Sequence, residues 1–143
     1  GPGQDANSNY AAVIPSFIQR ITSGQSPTIF GDGSQSRDFI AVSDVVNLIT
    51  QILSNHNNPQ NGVYNVATQT ETSISELLKI ITTSILEIDN TIEIPEIRYE
   101  EKRLGDITSS CADISKVVNS FGWSPKIDLA QGIKSLVEFE LRG

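Results

Sequence analysis

Apolar residues recur along this chain at two spacings, and the spacings sort it into helices and short strands. Ala11, Ile14, Phe17, Ile18 and Ile21 fall three and four residues apart, the period of one helix face, and predict a helix over 10–23. Asn7, Ser8 and Asn9 offer side-chain oxygens to cap its start, and Gly24 is placed to stop it. Pro15 lies inside this segment and either kinks the helix or marks a late start, because its nitrogen has no hydrogen to donate. Residues 27–30 read as a short strand broken by the turn signal Gly31-Asp32-Gly33, and a second strand is predicted over 38–42. Ser43 or Asp44 can cap a helix carrying Val45, Val46, Leu48, Ile49, Ile52 and Leu53, followed by a polar loop over 55–62.

Downstream, 62–66 reads as a buried strand. Ser73 with Glu76 is a capping-box pattern before a helix over 74–88. Residues 92–99 alternate apolar and charged positions, as a half-exposed strand does. Asp113 can cap a short helix closing at Phe121-Gly122, and Asp128 with Gln131 repeats the capping pattern before a last helix through Leu141. The expected fold class is therefore α/β, a small mixed domain over 1–143 with about five helices and short strands. No Gly-x-Gly-x-x-Gly follows any predicted strand, so a dinucleotide-binding Rossmann core is not among these elements.

Composition narrows the function classes. At 143 residues, 38% hydrophobic and 19% charged, the chain can bury a core of its own and does not read as disordered. A net charge of -7 argues against nucleic-acid and anionic-membrane partners, and no apolar run approaches the ~20 residues of a membrane span. The single Cys111 excludes an internal disulfide and fits a reducing compartment, so the expected location is cytoplasmic. The absence of methionine and the opening Gly1-Pro2-Gly3 read as those of a fragment.

Two segments carry candidate chemistry. In 28–39 the glycines allow a tight turn with exposed amides, and Arg37 follows with a planar donor fork suited to phosphate or carboxylate. Spacing alone equally allows a hairpin whose Arg37 pairs with a surface carboxylate. In 102–106, Arg103 and Asp106 flank Gly105, a pattern that suits a diphosphate and a hydroxyl pair but also describes a solvated charged loop. His56 is the lone histidine, which leaves no second imidazole for a metal and no nucleophile–base pair. Cys111 is expected to be a small buried residue and Trp123 a packing anchor.

Taken in order, a set of motifs resembles the extended short-chain dehydrogenase/reductases, in their NAD-dependent epimerase/dehydratase branch and nearest the UDP-hexose 4-epimerases. The set runs Gly1-Pro2-Gly3-Gln4, Tyr10-Ala11-Ala12-Val13-Ile14-Pro15, Pro27-Thr28-Ile29-Phe30-Gly31-Asp32-Gly33 and Arg37-Asp38-Phe39-Ile40-Ala41-Val42-Ser43-Asp44-Val45. It continues through Tyr64-Asn65-Val66-Ala67, Arg103-Leu104-Gly105-Asp106, Ala112-Asp113-Ile114-Ser115-Lys116 and Phe121-Gly122-Trp123-Ser124-Pro125. Each piece is common, but the ordered set covers essentially the whole chain. The resemblance implies the substrate-binding C-terminal part of such an enzyme, with the Rossmann half absent. NAD is then the cofactor of the parent enzyme and is not expected on this fragment. The family's catalytic Tyr-x-x-x-Lys is also missing, since Tyr10, Tyr64 and Tyr99 are followed four positions on by Ile14, Thr68 and Arg103.

Residue by residue, the resemblance implies that the backbone of Thr28 and Phe30 meets uracil and that Arg37 and Arg103 meet the phosphates. It also implies that Asp106 meets the ribose and that Val13 lines the nucleotide site. Implied partners are a UDP-sugar, the missing Rossmann half and, as an open option, a second copy in a homodimer. Leu104 and Ala67 depart from the family's usual proline and glycine. A 4,6-dehydratase, an epimerase for uronic acid or N-acetyl sugars, and a non-enzymatic nucleotide-binding or interaction module are the competing expectations.

Overall fold

The helical stripes close on one another in the computed structural model, which describes residues 1–4, 12–54 and 61–142. Helix α1 spans Val13–Thr22. Pro15 therefore sits in its first turn, where backbone N–H groups lack helical partners anyway, and the late-start reading holds without a kink. The proposed caps Asn7, Ser8 and Asn9, and His56, lie outside the described residues. Helix α3 spans Ile74–Ile88 as the pattern predicts, with Ser73 Oγ accepting the Glu76 N–H at 3.1 Å. Helix α5 spans Leu129–Arg142, and the Gln131 N–H donates to Asp128 Oδ1 at 2.8 Å.

These three helices build the main core. Phe17, Ile18 and Ile21 of α1, Leu77, Leu78, Ile81 and Ile85 of α3, and Ile133 and Val137 of α5 are buried against one another. Burying each such side chain stabilises the fold by about 1.5–3 kcal/mol. Strand β1 (Thr28–Phe30) adds Ile29 to this cluster, and its two-residue alternation turns Thr28 and Phe30 to the other face. It pairs in parallel with β4 (Arg98–Glu100). The strand predicted over 92–99 thus shrinks to its last part, because Ile92 and Ile94 pack irregularly onto the core instead of joining a ladder.

Strands β2 (Ser36–Asp38) and β3 (Glu71–Ser73) form an antiparallel ribbon. The second predicted strand lies two residues earlier than its apolar pattern suggests, and helix α2 begins already at Val42 and runs to Ser54. Asp44 is therefore no cap. It is buried, and its Oδ2 accepts the backbone N–H groups of Lys126 and Ile127 at 3.1 and 3.0 Å, tying α2 to the segment before α5.

A second, smaller cluster joins Leu48 of α2, Ala67, Ile114, Val117 and Trp123 around helix α4 (Ser115–Phe121). Gly122 closes α4 in the left-handed conformation at φ 61°. Trp123 is buried as the anchor expected of it. The buried strand predicted over 62–66 is absent: the segment joins no ladder and Val63 is 86% exposed. Lys116 donates to the Val63 carbonyl at 2.8 Å and lies 4.5 Å from the Tyr64 ring, so side chains rather than a neighbouring strand hold this stretch. Val42, Val46, Ile49 and Leu53 form an apolar stripe along α2 that is about half exposed or more.

Candidate functional site

A cleft of about 270 Å³ opens between α1, β1 and the loop after β4. All six residues singled out from the sequence line it: Val13, Thr28, Phe30, Arg37, Arg103 and Asp106. Local physics explains the convergence. Strand β1 runs along the cleft with Thr28, Ile29 and Phe30 in its lining, Val13 opens α1 beside them, and Arg37 arrives from β2. Between β1 and β2 the chain folds over the start of α3, whose first free N–H groups, on Ile74 and Ser75, donate to the carbonyls of Gln35 and Gly33 at 3.0 and 3.1 Å. Gly33 must be glycine there: its φ is +79°, and a Cβ would lie 2.2 Å from Ser75 Oγ.

The two arginines differ in how they are held. The Arg37 Nη1 donates to the Ser36 and Ile107 carbonyls at 2.7 and 2.6 Å, and Nη2 donates to Asp106 Oδ1 at 2.6 Å. The carboxylate partner that spacing alone allowed for Arg37 is thus Asp106 itself, and the pair sits inside the cleft with both side chains part-exposed. Three of the five guanidinium hydrogens are engaged; the others, and Asp106 Oδ2, have no partner among the described residues. The Arg103 guanidinium lies 3.8 Å above the centre of the Phe30 ring, a cation–π contact.

Gln35, Ser16 and Phe17 also line the cleft and were missed. Gln35 is nearly buried, and its Nε2 donates to the Phe30 carbonyl at 2.7 Å, fixing the strand whose face forms the floor. A glutamine in a polar turn gives no periodic signal, so only the fold reveals it.

Beside the cleft, Asp38 organises three segments. Its carboxylate accepts the Thr68 N–H and Oγ1 hydrogens at 2.9 and 2.6 Å, the Gln69 N–H at 2.9 Å and the Ala112 N–H at 3.3 Å. Burial pushes this carboxyl up, but the hydrogen bonds led by Thr68 outweigh it and hold it below the usual range. Cys111 is exposed, contrary to expectation, because it lies on the surface stretch next to Asp38. Burial, then the Asp38 and Glu71 carboxylates, push its thiol up, away from a reactive thiolate.

A larger cleft of about 390 Å³ lies between the first residues, α1, the start of α2 and α5. Phe39, Ile40, Val42 and Leu136 make it apolar, and among the described residues no Lys, Arg or His side chain lines it. Among the described residues, no group of three or more His, Cys, Asp or Glu side chains is placed to hold a metal. No described helix is long and apolar enough to cross a membrane.

The family model described as GDP-mannose 4,6 dehydratase matches residues 1–136. A UDP-glucose 4-epimerase of Mycolicibacterium smegmatis is 34% identical over 139 residues, covering 97% of this chain and 42% of that protein. Among solved structures, a UDP-N-acetylglucosamine 4-epimerase of Methanobrevibacter ruminantium in complex with UDP-N-acetylmuramic acid is 39% identical, with a TM-score of 0.85. A UDP-glucose 4-epimerase of Thermotoga maritima with UDP-glucose is 32% identical, with a TM-score of 0.84. Each covers 99% of this chain and 43% of the solved one, so the chain spans well under half the length of the relatives it matches.

Proposed function

The chain belongs to the NAD-dependent nucleotide-sugar epimerase/dehydratase family, and from that premise we propose that it is the substrate-binding part of a UDP-hexose 4-epimerase, taking the UDP end of the substrate in the 270 Å³ cleft. The observation that carries this reading is the meeting of two guanidinium groups, from β2 and from the loop after β4, at one cleft mouth beside an aromatic ring. Guanidinium forks suit the diphosphate, which presents several strong acceptors at fixed spacing. Asp106 has one carboxylate oxygen engaged by Arg37 and the other to offer a ribose hydroxyl. Thr28 and Phe30 line the cleft along β1, where the base would lie, and Val13 lines it from α1.

The contribution of these residues to catalysis is orientation. A nucleotide gripped at its phosphates and base holds the attached hexose at a fixed height outside the cleft, which lowers the entropic cost of reaching a reacting geometry. The family's NAD supplies the hydride chemistry when bound. The residues present do not fit that cofactor: the glycine turns at Gly31–Gly33 and Gly105 lead from strand to strand and into an irregular loop, not into a helix N-terminus that could take a pyrophosphate. On this reading an NAD-binding half, in the same protein or in another, completes the enzyme, and the residues of this chain contribute orientation.

The test is calorimetric titration of the chain with UDP and, separately, with NAD. Stoichiometric UDP binding with no NAD binding supports the reading; absence of UDP binding at millimolar concentration defeats it. The description of the matching family model favours a second reading, the same role in a 4,6-dehydratase. Product analysis on the chain joined to an NAD-binding half separates the two, since a dehydratase yields a 4-keto-6-deoxy sugar and an epimerase does not.

A further inference from the structure

The outer wall of the cleft is an irregular stretch over 103–112, and apolar packing does little to hold it: Leu104 is fully exposed and Ile107 is 60% exposed. Polar contacts from the β2–β3 ribbon hold it instead. From β2, the Ser36 N–H donates to the Thr108 carbonyl at 2.9 Å, Arg37 donates to the Ile107 carbonyl, and Asp38 accepts from Ala112. From β3 comes a residue with no role so far, Glu71, which faces Asp38 across the ribbon. One of its carboxylate oxygens accepts the Ser36 hydroxyl at 2.9 Å and the other accepts the Ser109 hydroxyl. A single side chain thus spans ribbon and wall. The two oxygens of one carboxylate let it accept both hydroxyls at once. The Ser109 bond and then the Ser36 bond favour the anion and hold this carboxyl below its usual range, against burial and the nearby Asp38 charge. Glu71 itself does not line the cleft.

We propose that Glu71 is a positioning residue of the nucleotide cleft: it clamps residues 107–109 to β2 and so sets where Arg103 and Asp106 enter. The proposal rests on the nucleotide reading for its effect on affinity, but the clamp has a readout of its own. A wall fixed before binding is spared the entropy of being ordered by the ligand, so loosening it weakens binding without removing a ligand contact.

The experiment compares Glu71→Ala, Glu71→Gln and the milder Ser109→Ala with the parent chain, by amide hydrogen exchange and by UDP calorimetry. Glu71→Ala is expected to speed exchange at Ser36 and Ala112 about tenfold, with α3 amides unchanged, and to weaken UDP binding by roughly five- to tenfold. Glu71→Gln, whose amide oxygen accepts one hydroxyl while its NH2 donates to the other, recovers most of both effects. Ser109→Ala reproduces part of the Glu71→Ala effect, and combining the two adds nothing beyond Glu71→Ala alone, because they break one shared contact. Unchanged exchange at Ser36 and Ala112 in both Glu71→Ala and Ser109→Ala overturns the clamp. Undiminished UDP affinity in Glu71→Ala, where the parent binds UDP, overturns its functional role while leaving the nucleotide reading intact. If the parent binds no UDP, the nucleotide reading and the affinity role fail together, and exchange alone decides whether the clamp exists.

Discussion

Truncating the two cleft arginines separates binding from folding, because the fold uses them unequally. Arg37→Ala removes three hydrogen bonds, to Ser36, Ile107 and Asp106. Charge-assisted bonds are worth about 1.5–3 kcal/mol at most, and water at this part-exposed pair competes for them, so we expect a stability loss of about 2 kcal/mol. For a chain of this size that corresponds to roughly 8 °C in Tm. Arg103→Ala removes one cation–π contact over Phe30, worth about 0.5–1 kcal/mol at an exposed site, and Tm should move by no more than roughly 4 °C. In UDP affinity the two should look alike, each losing roughly 10- to 100-fold with the phosphate contact. Arg→Lys at either position should not restore full affinity, since an ammonium cannot present the planar fork. Differential scanning calorimetry beside UDP titration reads both axes. The phosphate assignment fails if both alanine variants bind UDP as tightly as the parent. The structural reasoning fails if Arg103→Ala destabilises the chain as much as Arg37→Ala does.

Three further outcomes are expected. Asp44→Ala should cost about 2–4 kcal/mol by stranding the Lys126 and Ile127 amides, whereas Asp44→Asn, whose carbonyl can replace the one oxygen both amides use, should cost about 1 kcal/mol; equal losses in urea denaturation would show that these bonds are not what matters. The Asp38 carboxyl is held below its ordinary value of 3.8, so its stabilisation is present above that pH and is lost as pH falls through the lower folded value; Asp38→Asn should destabilise at pH 7 and flatten the acid side of the stability profile, and an unchanged acid slope would contradict this. The exposed α2 stripe should drive weak self-association at high concentration, relieved by Leu53→Asp, and sedimentation showing a strict monomer for the parent would refute it.

Much of the fold was legible because its strongest signals are periodic. The run Ile74, Leu77, Leu78, Ile81 and Ile85, opened by a capping serine, can be satisfied only by a helix with one buried face, and α3 is that helix. The cleft residues were legible for a different reason: they stand in ordered motifs, and the fold brings Val13, Arg37 and Asp106 together across long stretches of chain. What stayed hidden depends on partners distant in sequence. Nothing local says that 98–100 pairs with β1 while 62–66 pairs with nothing, since a strand pattern records the residue's own preference and not the availability of a neighbour. Asp38, Asp44 and Glu71 were hidden likewise: each acts through hydrogen bonds to residues at least 30 positions away.

The division of the interior into two clusters has a consequence for how the molecule comes apart. The cleft's apolar frame, Phe17, Ile29 and Ile74, belongs to the larger cluster, while α2, α4 and Trp123 hold the smaller one. The chain crosses between them within two residues, Phe39 packing on the first and Ile40 on the second, and the Asp38 and Asp44 carboxylates add polar ties across the divide. Such a joint carries little apolar area, so cooperativity across it is weak and the smaller cluster can melt first, as a separate step at lower denaturant. A ligand seated against the larger cluster would then raise the second step and leave the first where it was. The molecule would thus retain a competent binding frame after the smaller cluster has come apart.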